Sequence, residues 1–536
     1  MKAGIHDRPS CATIAVAIAV LAAVCFVAFS PGAAGAAAPA SSFAGGGVGD
    51  PIEWGPCDPP GVGLQCARIT VPLDWNEPNG RTISLAVIRL RASKPNERIG
   101  TLFINPGGPG ESGLELVQGD PEGIDAIGGG RFDVVSWDPR GTHASTRVLC
   151  FRDSRSEAIF WAGVSIPSTN AESERFARKS VDLAERCGEV SGWLLPHIST
   201  ADTVRDLDHL RGLLGEEKLT YVGFSYGTLI GQTYANLFPD RVRAMLLNGI
   251  IDAPANTEGA EARTASDVSS ADEVFAQFLA LCDAAGPKRC ALAGHGQTAA
   301  ERVGRLFAQV KRAPIPAPGA RPPLSSSQEL TYGDLLLSQF ASLRAPAQWP
   351  VNAAALAAAL GGDASALKTQ AIAGSSVAAW ATITTSSAIS CADAPAKQSI
   401  RDWPEVIGGL ERIGRLQGRV QGWWRWAACA SWPVRGEDNY RGPWGAKTPN
   451  PILLINQRYD PNTGYANAVR AEQYLGNAVL LTQEGYGHLT FQDPSVCVNK
   501  AMVEYLVDLI TPPKGTFCES EHKPFDPDFG KPPNQE

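Results

Sequence analysis

The chain has 536 residues, of which 44% are hydrophobic and 19% are charged, and its formal net charge is −8. This length exceeds what one compact core usually fills, so we expect two domains or one core with a large insertion. The composition is that of a globular protein, and the acidic balance without a long basic run argues against a nucleic acid partner.

The N-terminal segment has the layout of a secretory signal. Lys2 and Arg8 precede an apolar run over residues 12–29, and small residues follow up to Ala40. Charged, apolar and small-residue regions in this order are typical of a cleaved export signal. We expect residues 1–38 to be removed and the mature protein to be secreted or held in the cell envelope, without stable membrane insertion. The apolar run is long, so an uncleaved anchor is the alternative.

Cysteine usage agrees with export. Of 12 cysteines, Cys11 and Cys25 lie in the leader, and an even number remains, which predicts disulfides. The sequence does not fix their connectivity. Pairing neighbours along the chain keeps each loop within one segment and joins Cys57 with Cys66, Cys150 with Cys187, Cys282 with Cys290, Cys391 with Cys429, and Cys497 with Cys518. Because no CxxC pair and no His–Cys cluster occurs, we expect no metal and no cofactor.

The first half of the chain alternates between strand and helix patterns. Strand-like runs occupy residues 67–72, 83–90, 101–105, 132–137, 219–222 and 242–247, and helix-like runs occupy 203–214 and 228–237. Strands that alternate with helices imply a mostly parallel sheet. The pattern predicts an α/β core whose first part covers residues 45–254.

The alternation of strand and helix patterns stops after Ile251. Apolar residues then recur at helical spacing, as over residues 335–343 and 351–360, and no strand stands out before Pro451. We interpret residues 255–440 as a large helical lid insertion. Four of its tryptophans either pack the core of the lid or line the substrate cleft, namely Trp423, Trp424, Trp426 and Trp432.

The α/β pattern resumes near the C-terminus. Strand-like runs at 452–456 and 478–482 precede a helix at 498–510. We therefore assign residues 441–520 to the second part of the core. The Pro-rich chain beyond Thr511 reads as irregular, and residues 521–536 are assigned to a tail.

A nucleophile motif lies between one strand and the following helix. Gly223-Phe224-Ser225-Tyr226-Gly227 matches G-x-S-x-G, in which the chain turns sharply and exposes the serine. Chance matches to a five-residue pattern are common. The assignment therefore depends on the position of the motif between a strand and a helix and on the presence of a histidine and a carboxylate later in the chain.

A serine nucleophile needs a histidine base that a carboxylate orients. In proteins whose nucleophile lies in a G-x-S-x-G turn between a strand and a helix, these residues follow in the order Ser, Asp or Glu, then His. His488 is the one histidine that follows a late strand and precedes the last helix. Asp460 closes the strand before it. The sequence therefore predicts a Ser225–Asp460–His488 triad, although Asp-Pro also simply starts turns.

The oxyanion of the tetrahedral intermediate needs backbone N–H donors. Tyr226, which follows the nucleophile, is one candidate. The other lies in the glycine-rich loop Asn105-Pro106-Gly107-Gly108-Pro109-Gly110, where we favour Gly108 over Gly107 because amides there approach a ligand without an intervening Cβ.

These motifs, together with Asp-Pro-x-Thr at residues 460–463, Cys391-Ala392-Asp393 and Cys429-Ala430-Ser431-Trp432-Pro433, resemble the secreted bacterial tripeptidyl aminopeptidases. The resemblance runs from about Trp54 to Cys518. It implies an α/β-hydrolase fold related to proline iminopeptidases. Those enzymes usually carry His where this chain has Asn105, which points away from strict proline release.

The leading hypothesis is a secreted serine aminopeptidase that releases tripeptides from free N-termini through an acyl-enzyme. A carboxylesterase or lipase of the same fold is the alternative, and a non-catalytic binding protein on this scaffold is a third. An aminopeptidase needs a carboxylate for the substrate ammonium, for which Glu111 and Asp393 are candidates. Thr463 is a further candidate for substrate contact.

Overall fold

The computed structural model describes residues 47–321, 327–374, 377–436 and 438–531. The leader predicted at residues 1–38 therefore lies outside the described residues. The strands in chain order are β1 (Leu64–Pro72), β2 (Thr82–Leu90), β3 (Gly100–Asn105), β4 (Phe132–Trp137), β5 (Leu219–Phe224), β6 (Val242–Asn248), β7 (Ile315–Pro316), β8 (Glu329–Leu330), β9 (Ile452–Tyr459), β10 (Ala478–Tyr486) and β11 (Phe517–Glu519).

Nine of these strands form one sheet in the order β1-β2-β4-β3-β5-β6-β9-β10-β11. β2 is antiparallel to β1 and to β4, whereas all neighbours from β4 to β11 are parallel. The mostly parallel sheet predicted from the alternating patterns is confirmed. Its strands β3, β4 and β5 are buried at every position, as expected where helices cover both faces.

The helices are α1 (Gly113–Gly119), α2 (Pro121–Ile127), α3 (Ser154–Trp161), α4 (Asn170–Ser191), α5 (Thr200–Leu213), α6 (Tyr226–Leu237), α7 (Ala253–Glu258), α8 (Ala260–Val268), α9 (Ala271–Ala285), α10 (Ala299–Arg312), α11 (Tyr332–Leu343), α12 (Trp349–Leu360), α13 (Ser365–Gly374), α14 (Val377–Asp393), α15 (Trp403–Ile413), α16 (Gly418–Gln421), α17 (Tyr465–Tyr474) and α18 (Val496–Asp508). Capping boxes start α4, α5, α10 and α11, where a Ser or Thr hydroxyl and an acidic side chain satisfy amides of the first turn.

Helices cover the two faces of the sheet with separate apolar clusters. Val117 of α1, Ile124 of α2 and Met502 of α18 pack with one set of strand side chains. Leucines of α5 and α6 and alanines of α17 pack with the other set. Because side chains alternate along a strand, each buried strand supplies both clusters.

The chain between β6 and β9 contributes α7 to α16. Phe278, Leu306, Leu336 and Trp349 belong to a third apolar cluster, which this segment builds largely from its own helices. The two-residue strands β7 and β8 pair with each other in this segment. The sequence analysis predicted only helices there. Of the four tryptophans, Trp423 and Trp426 are fully buried in packing, whereas Trp424 and Trp432 are partly exposed.

The described residues contain five disulfides, and their pairing is the neighbour pairing described above. The last one explains an element that the sequence reading missed. The chain beyond Thr511 was expected to be irregular, but residues 517–519 form β11 at the sheet edge. The disulfide between Cys497 and Cys518 fixes this short segment against the start of α18. Within the described ranges, no helix is long and apolar enough to cross a membrane.

Candidate active site

Ser225 occupies the sharp turn between β5 and α6. Its φ of 51° and ψ of −118° are unfavourable for a residue with a side chain, and such strain is concentrated at functional sites. Glycines make the turn possible. A Cβ on Gly223 would lie 2.4 Å from the Gly227 carbonyl oxygen, and one on Gly227 would lie 2.7 Å from the Asn105 carbonyl oxygen.

The structure brings the three predicted triad residues together. The Ser225 Oγ lies 3.1 Å from His488 Nε2. His488 Nδ1 lies 3.1 Å and 3.0 Å from the two carboxylate oxygens of Asp460. Each residue follows the carboxyl end of a parallel strand, namely β5, β9 and β10, so all three meet at one edge of the sheet. This arrangement can pass a proton from the serine hydroxyl to the imidazole.

Asp460 is fully buried, yet it is surrounded by donors. The amides of Asn462 and Thr463 donate to its Oδ1 at 2.8 Å and 2.9 Å, and the Thr463 hydroxyl donates to Oδ2 at 2.8 Å. Burial alone would raise the pKa of Asp460, but the attraction and hydrogen bond of His488, with these amides, hold that pKa below its ordinary value. The carboxyl group is therefore kept as the anion that orients the imidazole.

Thr463 lies beside the triad, and its hydroxyl is also 3.4 Å from His488 Nδ1. Its side chain is buried, so its contacts are with the acid and the base. Thr463 thus donates to both carboxylate oxygens of Asp460, to Oδ1 with its amide and to Oδ2 with its hydroxyl.

The glycine-rich loop packs directly against the nucleophile turn. A Cβ on Gly107 would lie 2.5 Å from the Phe224 carbonyl oxygen. The Gly107 amide already donates to Asn105 Oδ1 at 3.0 Å, whereas the Gly108 amide has no acceptor among the described residues. Tyr226 is the first residue of α6, so its amide has no intrahelical partner. The unpaired amides of Gly108 and Tyr226 can both donate to an oxyanion.

The two carboxylates considered for the substrate ammonium lie in different surroundings. Glu111 is partly exposed directly after the glycine-rich loop. Asp393 is buried, and its Oδ1 accepts from the Thr200 amide at 2.8 Å while its Oδ2 binds the Thr200 hydroxyl at 2.5 Å. That hydroxyl is also 2.5 Å from the Tyr226 hydroxyl. The Thr200 hydroxyl therefore links Asp393 to the side chain of Tyr226, the residue that follows Ser225.

Two further residues contact the glycine-rich loop and were not identified from the sequence. His143 Nε2 lies 2.8 Å from the Gly110 carbonyl oxygen, and Arg425 Nη2 donates to the Gly108 carbonyl oxygen at 3.4 Å. Neither belongs to a recognisable motif. In the described part of the chain, no group of three or more His, Cys, Asp or Glu side chains could hold a metal ion.

Comparison with known proteins agrees with this geometry. A family model described as alpha/beta hydrolase fold matches residues 100–295, and one described as TAP-like protein matches residues 417–518. These matches confirm the predicted α/β-hydrolase fold, with its mostly parallel sheet and helical insertion.

Three relatives each cover most of this chain. Serine protease Hip1 of Mycobacterium tuberculosis is 30% identical over 496 residues, which cover 88% of this chain and 91% of that protein. Tripeptidyl aminopeptidase of Streptomyces lividans is 30% identical over 475 residues, covering 86% and 84%. Carboxylesterase B of M. tuberculosis is 30% identical over 468 residues, covering 85% and 86%. The chain therefore belongs to the tripeptidyl aminopeptidase family, whose members are serine hydrolases with the α/β-hydrolase fold.

Proposed function

We propose that this protein is a serine exopeptidase that releases short peptides, tripeptides in particular, from free N-termini. The observation that carries the proposal is the continuous hydrogen-bonded path from Ser225 through His488 to Asp460, beside two unpaired amides. Such a constellation catalyses acyl transfer on many unrelated substrates, so the substrate class draws on the relatives as well.

In the proposed mechanism, Ser225 Oγ adds to the carbonyl carbon of the scissile amide while His488 Nε2 takes the hydroxyl proton. The amides of Gly108 and Tyr226 donate to the oxygen that becomes negative. The intermediate collapses when the C–N bond breaks and His488 protonates the leaving amine. A water molecule then repeats these steps on the acyl-enzyme and frees the peptide and Ser225.

The preference for a free N-terminus is assigned to Glu111. It is partly exposed next to the oxyanion loop, whereas both oxygens of Asp393 are engaged by Thr200. A carboxylate here can pair with an ammonium through charge-assisted hydrogen bonds. We further propose that residues 255–440 act as a lid between the two parts of the core, 45–254 and 441–520, and exclude long folded chains.

Export of the enzyme forms part of the proposal. Five disulfides within the described residues fit an oxidising compartment, as does the leader pattern of residues 1–38. We therefore place the mature protein outside the cytoplasm.

The role of Ser225 is tested by Ser225→Ala and by a serine-directed phosphonate. The variant should fold normally and lose several orders of magnitude in turnover, because no covalent route remains. Mass spectrometry should find the phosphonate on Ser225 alone. Labelling of another serine, or near-wild-type turnover in the variant, would show that the nucleophile is wrongly assigned.

The substrate class is tested with a matched pair of tripeptide p-nitroanilides, one with a free amine and one N-acetylated. The free amine should be cleaved at least about tenfold faster, equivalent to about 1.4 kcal/mol of transition-state binding. Glu111→Gln should remove most of this difference while it leaves the acetylated substrate unaffected. The likeness to carboxylesterase B makes an esterase the second candidate. Equal rates on the two amides, or cleavage of acyl esters only, would favour it.

A further inference from the structure

Arg425 reaches the oxyanion loop from the segment between β6 and β9. It lies in a π-helical turn, Gly422–Trp426, which follows α16 directly. π-Helical turns are rare and occur frequently at functional sites. Trp423 and Trp426 on this turn are buried, so packing fixes the direction in which the intervening residues point.

The turn is also anchored at its backbone. Ser387 Oγ of α14 donates to the Arg425 carbonyl oxygen at 3.3 Å. The disulfide between Cys391 and Cys429 joins the end of α14 to the chain just after the turn. Arg425 is therefore presented from a cross-linked support, and it is half-buried where it contacts the Gly108 carbonyl.

The loop has other supports, but they act further along it. Ser112 Oγ donates to Asp138 Oδ1 at 2.6 Å, and His143 Nε2 lies 2.8 Å from the Gly110 carbonyl oxygen. Within the described ranges, Arg425 is the one donor to the Gly108 carbonyl oxygen.

Gly108 needs such a support because its backbone is intrinsically free. Its φ is +104°, and glycine has little steric resistance to rotation away from this value. The amide and the carbonyl of Gly108 lie in the two peptide planes that meet at its Cα atom. A hydrogen bond that holds the carbonyl plane therefore leaves fewer orientations open to the amide plane.

We propose that Arg425 is a positioning residue, which holds the Gly108 carbonyl so that the Gly108 amide points at the oxyanion. The inference rests on the proposed acyl-transfer function, and it makes the helical segment part of the catalytic machinery. Formation of the oxyanion hole then depends on how the segment between β6 and β9 packs against the core.

The charges around Arg425 suit this role. Burial lowers the pKa of Arg425 to about 10, with Asp267 opposing the shift, Arg263 and Arg344 adding to it, and Glu111 opposing it more weakly. The guanidinium thus keeps its proton at neutral pH. A fixed positive charge beside the loop also favours the negative oxygen that develops in the transition state.

The test begins with Arg425→Met, which keeps a long apolar stem and removes every donor. Its kcat should fall about 10- to 100-fold, less than the ~10²–10³ loss of a direct oxyanion donor, with KM changed by less than about threefold. Arg425→Lys should recover part of kcat. The matched control is Arg412→Met, an exposed arginine on α15 of the same segment, which should keep wild-type kcat.

A tripeptide boronate provides a readout that a merely structural role would not change. It forms a tetrahedral adduct whose oxygen occupies the oxyanion hole, so its affinity should fall in Arg425→Met as far as kcat/KM does. Affinity for the matching tripeptide alcohol, in which a neutral CH2OH group replaces the carboxyl group and no tetrahedral adduct forms, should stay unchanged. Unchanged boronate affinity, or an equal loss for boronate and tripeptide alcohol, would overturn the positioning role.

Loss of stability is separated by a second variant. Asp267 binds Arg263 at 2.8 Å, and the charge of Arg425 also acts on it. Asp267→Asn takes the carboxylate away from the buried Arg263 and leaves Arg425 in place, so it should lower thermal stability while kcat stays near the wild-type value. An equal fall of kcat in Asp267→Asn and in Arg425→Met would contradict the inference. Wild-type protein that cleaves no substrate would refute the proposed function, whereas active wild type with unchanged Arg425→Met would refute only this inference.

Discussion

Asp460 accepts more hydrogen bonds than the orientation of one imidazole requires. Besides His488, it binds the amides of Asn462 and Thr463 and the Thr463 hydroxyl. These donors favour the ionised carboxyl group, and together they fix the plane of the carboxylate. The position of the His488 imidazole is thus determined by a short, locally closed turn at the end of β9.

We expect Asp460→Asn to lower kcat by about 10⁴, because the amide would stabilise the wrong tautomer of His488. Thr463→Val should lower kcat by roughly tenfold, since one of several donors to the anion is lost. Thr463→Ser keeps the hydroxyl and is the control. Steady-state kinetics on the free-amine substrate measure all three, and an inactive Thr463→Ser would mean that the methyl group, not the hydroxyl, matters.

The carboxyl group of Asp393 makes stability depend on pH. Burial raises its pKa to about 7 despite the hydrogen bonds from Thr200. The folded protein therefore retains this proton to higher pH than the unfolded chain, whose aspartates titrate near pH 4. The contribution of protonated Asp393 to the free energy of unfolding is complete below about pH 4 and is lost as pH rises through about 7.

Asp393→Asn removes this titration. Relative to the wild type, its melting temperature should rise progressively between pH 4 and pH 8, whatever the offset at pH 4. Calorimetry at several pH values measures the difference. A difference that is constant with pH would contradict the raised pKa of Asp393.

At the scale of elements, the sequence predicts best where burial is complete. β4 was predicted with its observed bounds, because a strand covered on both faces is an apolar run between breakers. α4 was not identified, since its apolar positions are sparse and its exposed face is highly charged. β11 consists of three residues, and its place depends on a disulfide and a neighbouring strand that no local pattern contains.

The same distinction applies to the site. Ser225, Asp460 and His488 lie in motifs at strand ends, so their order along the chain predicts their meeting. Arg425 lies in a tryptophan-rich segment without such a motif. Only the packing of the helices brings it to Gly108, which is a contact between residues 317 positions apart.

The disulfide that attaches β11 to α18 can be tested by its removal. Cys497→Ser combined with Cys518→Ser should lower the free energy of unfolding by about 3 kcal/mol, the value expected for a loop of 21 residues. Urea denaturation measures it. Hydrogen exchange should show faster exchange at β11 and in β10 beside it, while β3 to β5 stay protected. Uniform loss of protection would mean that the edge is not an independent unit.

At the scale of the molecule, the sheet consists of two parts that meet between β6 and β9. The paired register there spans only Leu246 to Asn248 against Leu453 to Ile455. Just before it, the buried Tyr505 hydroxyl accepts from the Met245 amide at 2.8 Å and donates to the Pro451 carbonyl oxygen at 2.6 Å. This side chain of α18 thus extends the junction.

Tyr505→Phe should lower the free energy of unfolding by about 1–3 kcal/mol, because a buried amide and carbonyl lose their partner. Urea denaturation followed by circular dichroism measures the change. Tyr440→Phe is the matched control, because the Tyr440 hydroxyl also donates to a backbone carbonyl, that of Pro443, but at an exposed position where water can replace it. It should change stability by less than about 0.5 kcal/mol. Equal effects of the two substitutions would show that the junction does not depend on the hydroxyl.

The junction between β6 and β9 also has a consequence in time. His488 follows Ser225 by 263 residues, and the strands that carry Asp460 and His488 are among the last parts of the chain to be synthesised. A growing chain that has reached only residue 450 contains the serine and the glycine-rich loop but no base. The triad therefore cannot form before synthesis has passed His488, so the order of the chain withholds the histidine from a partly made enzyme.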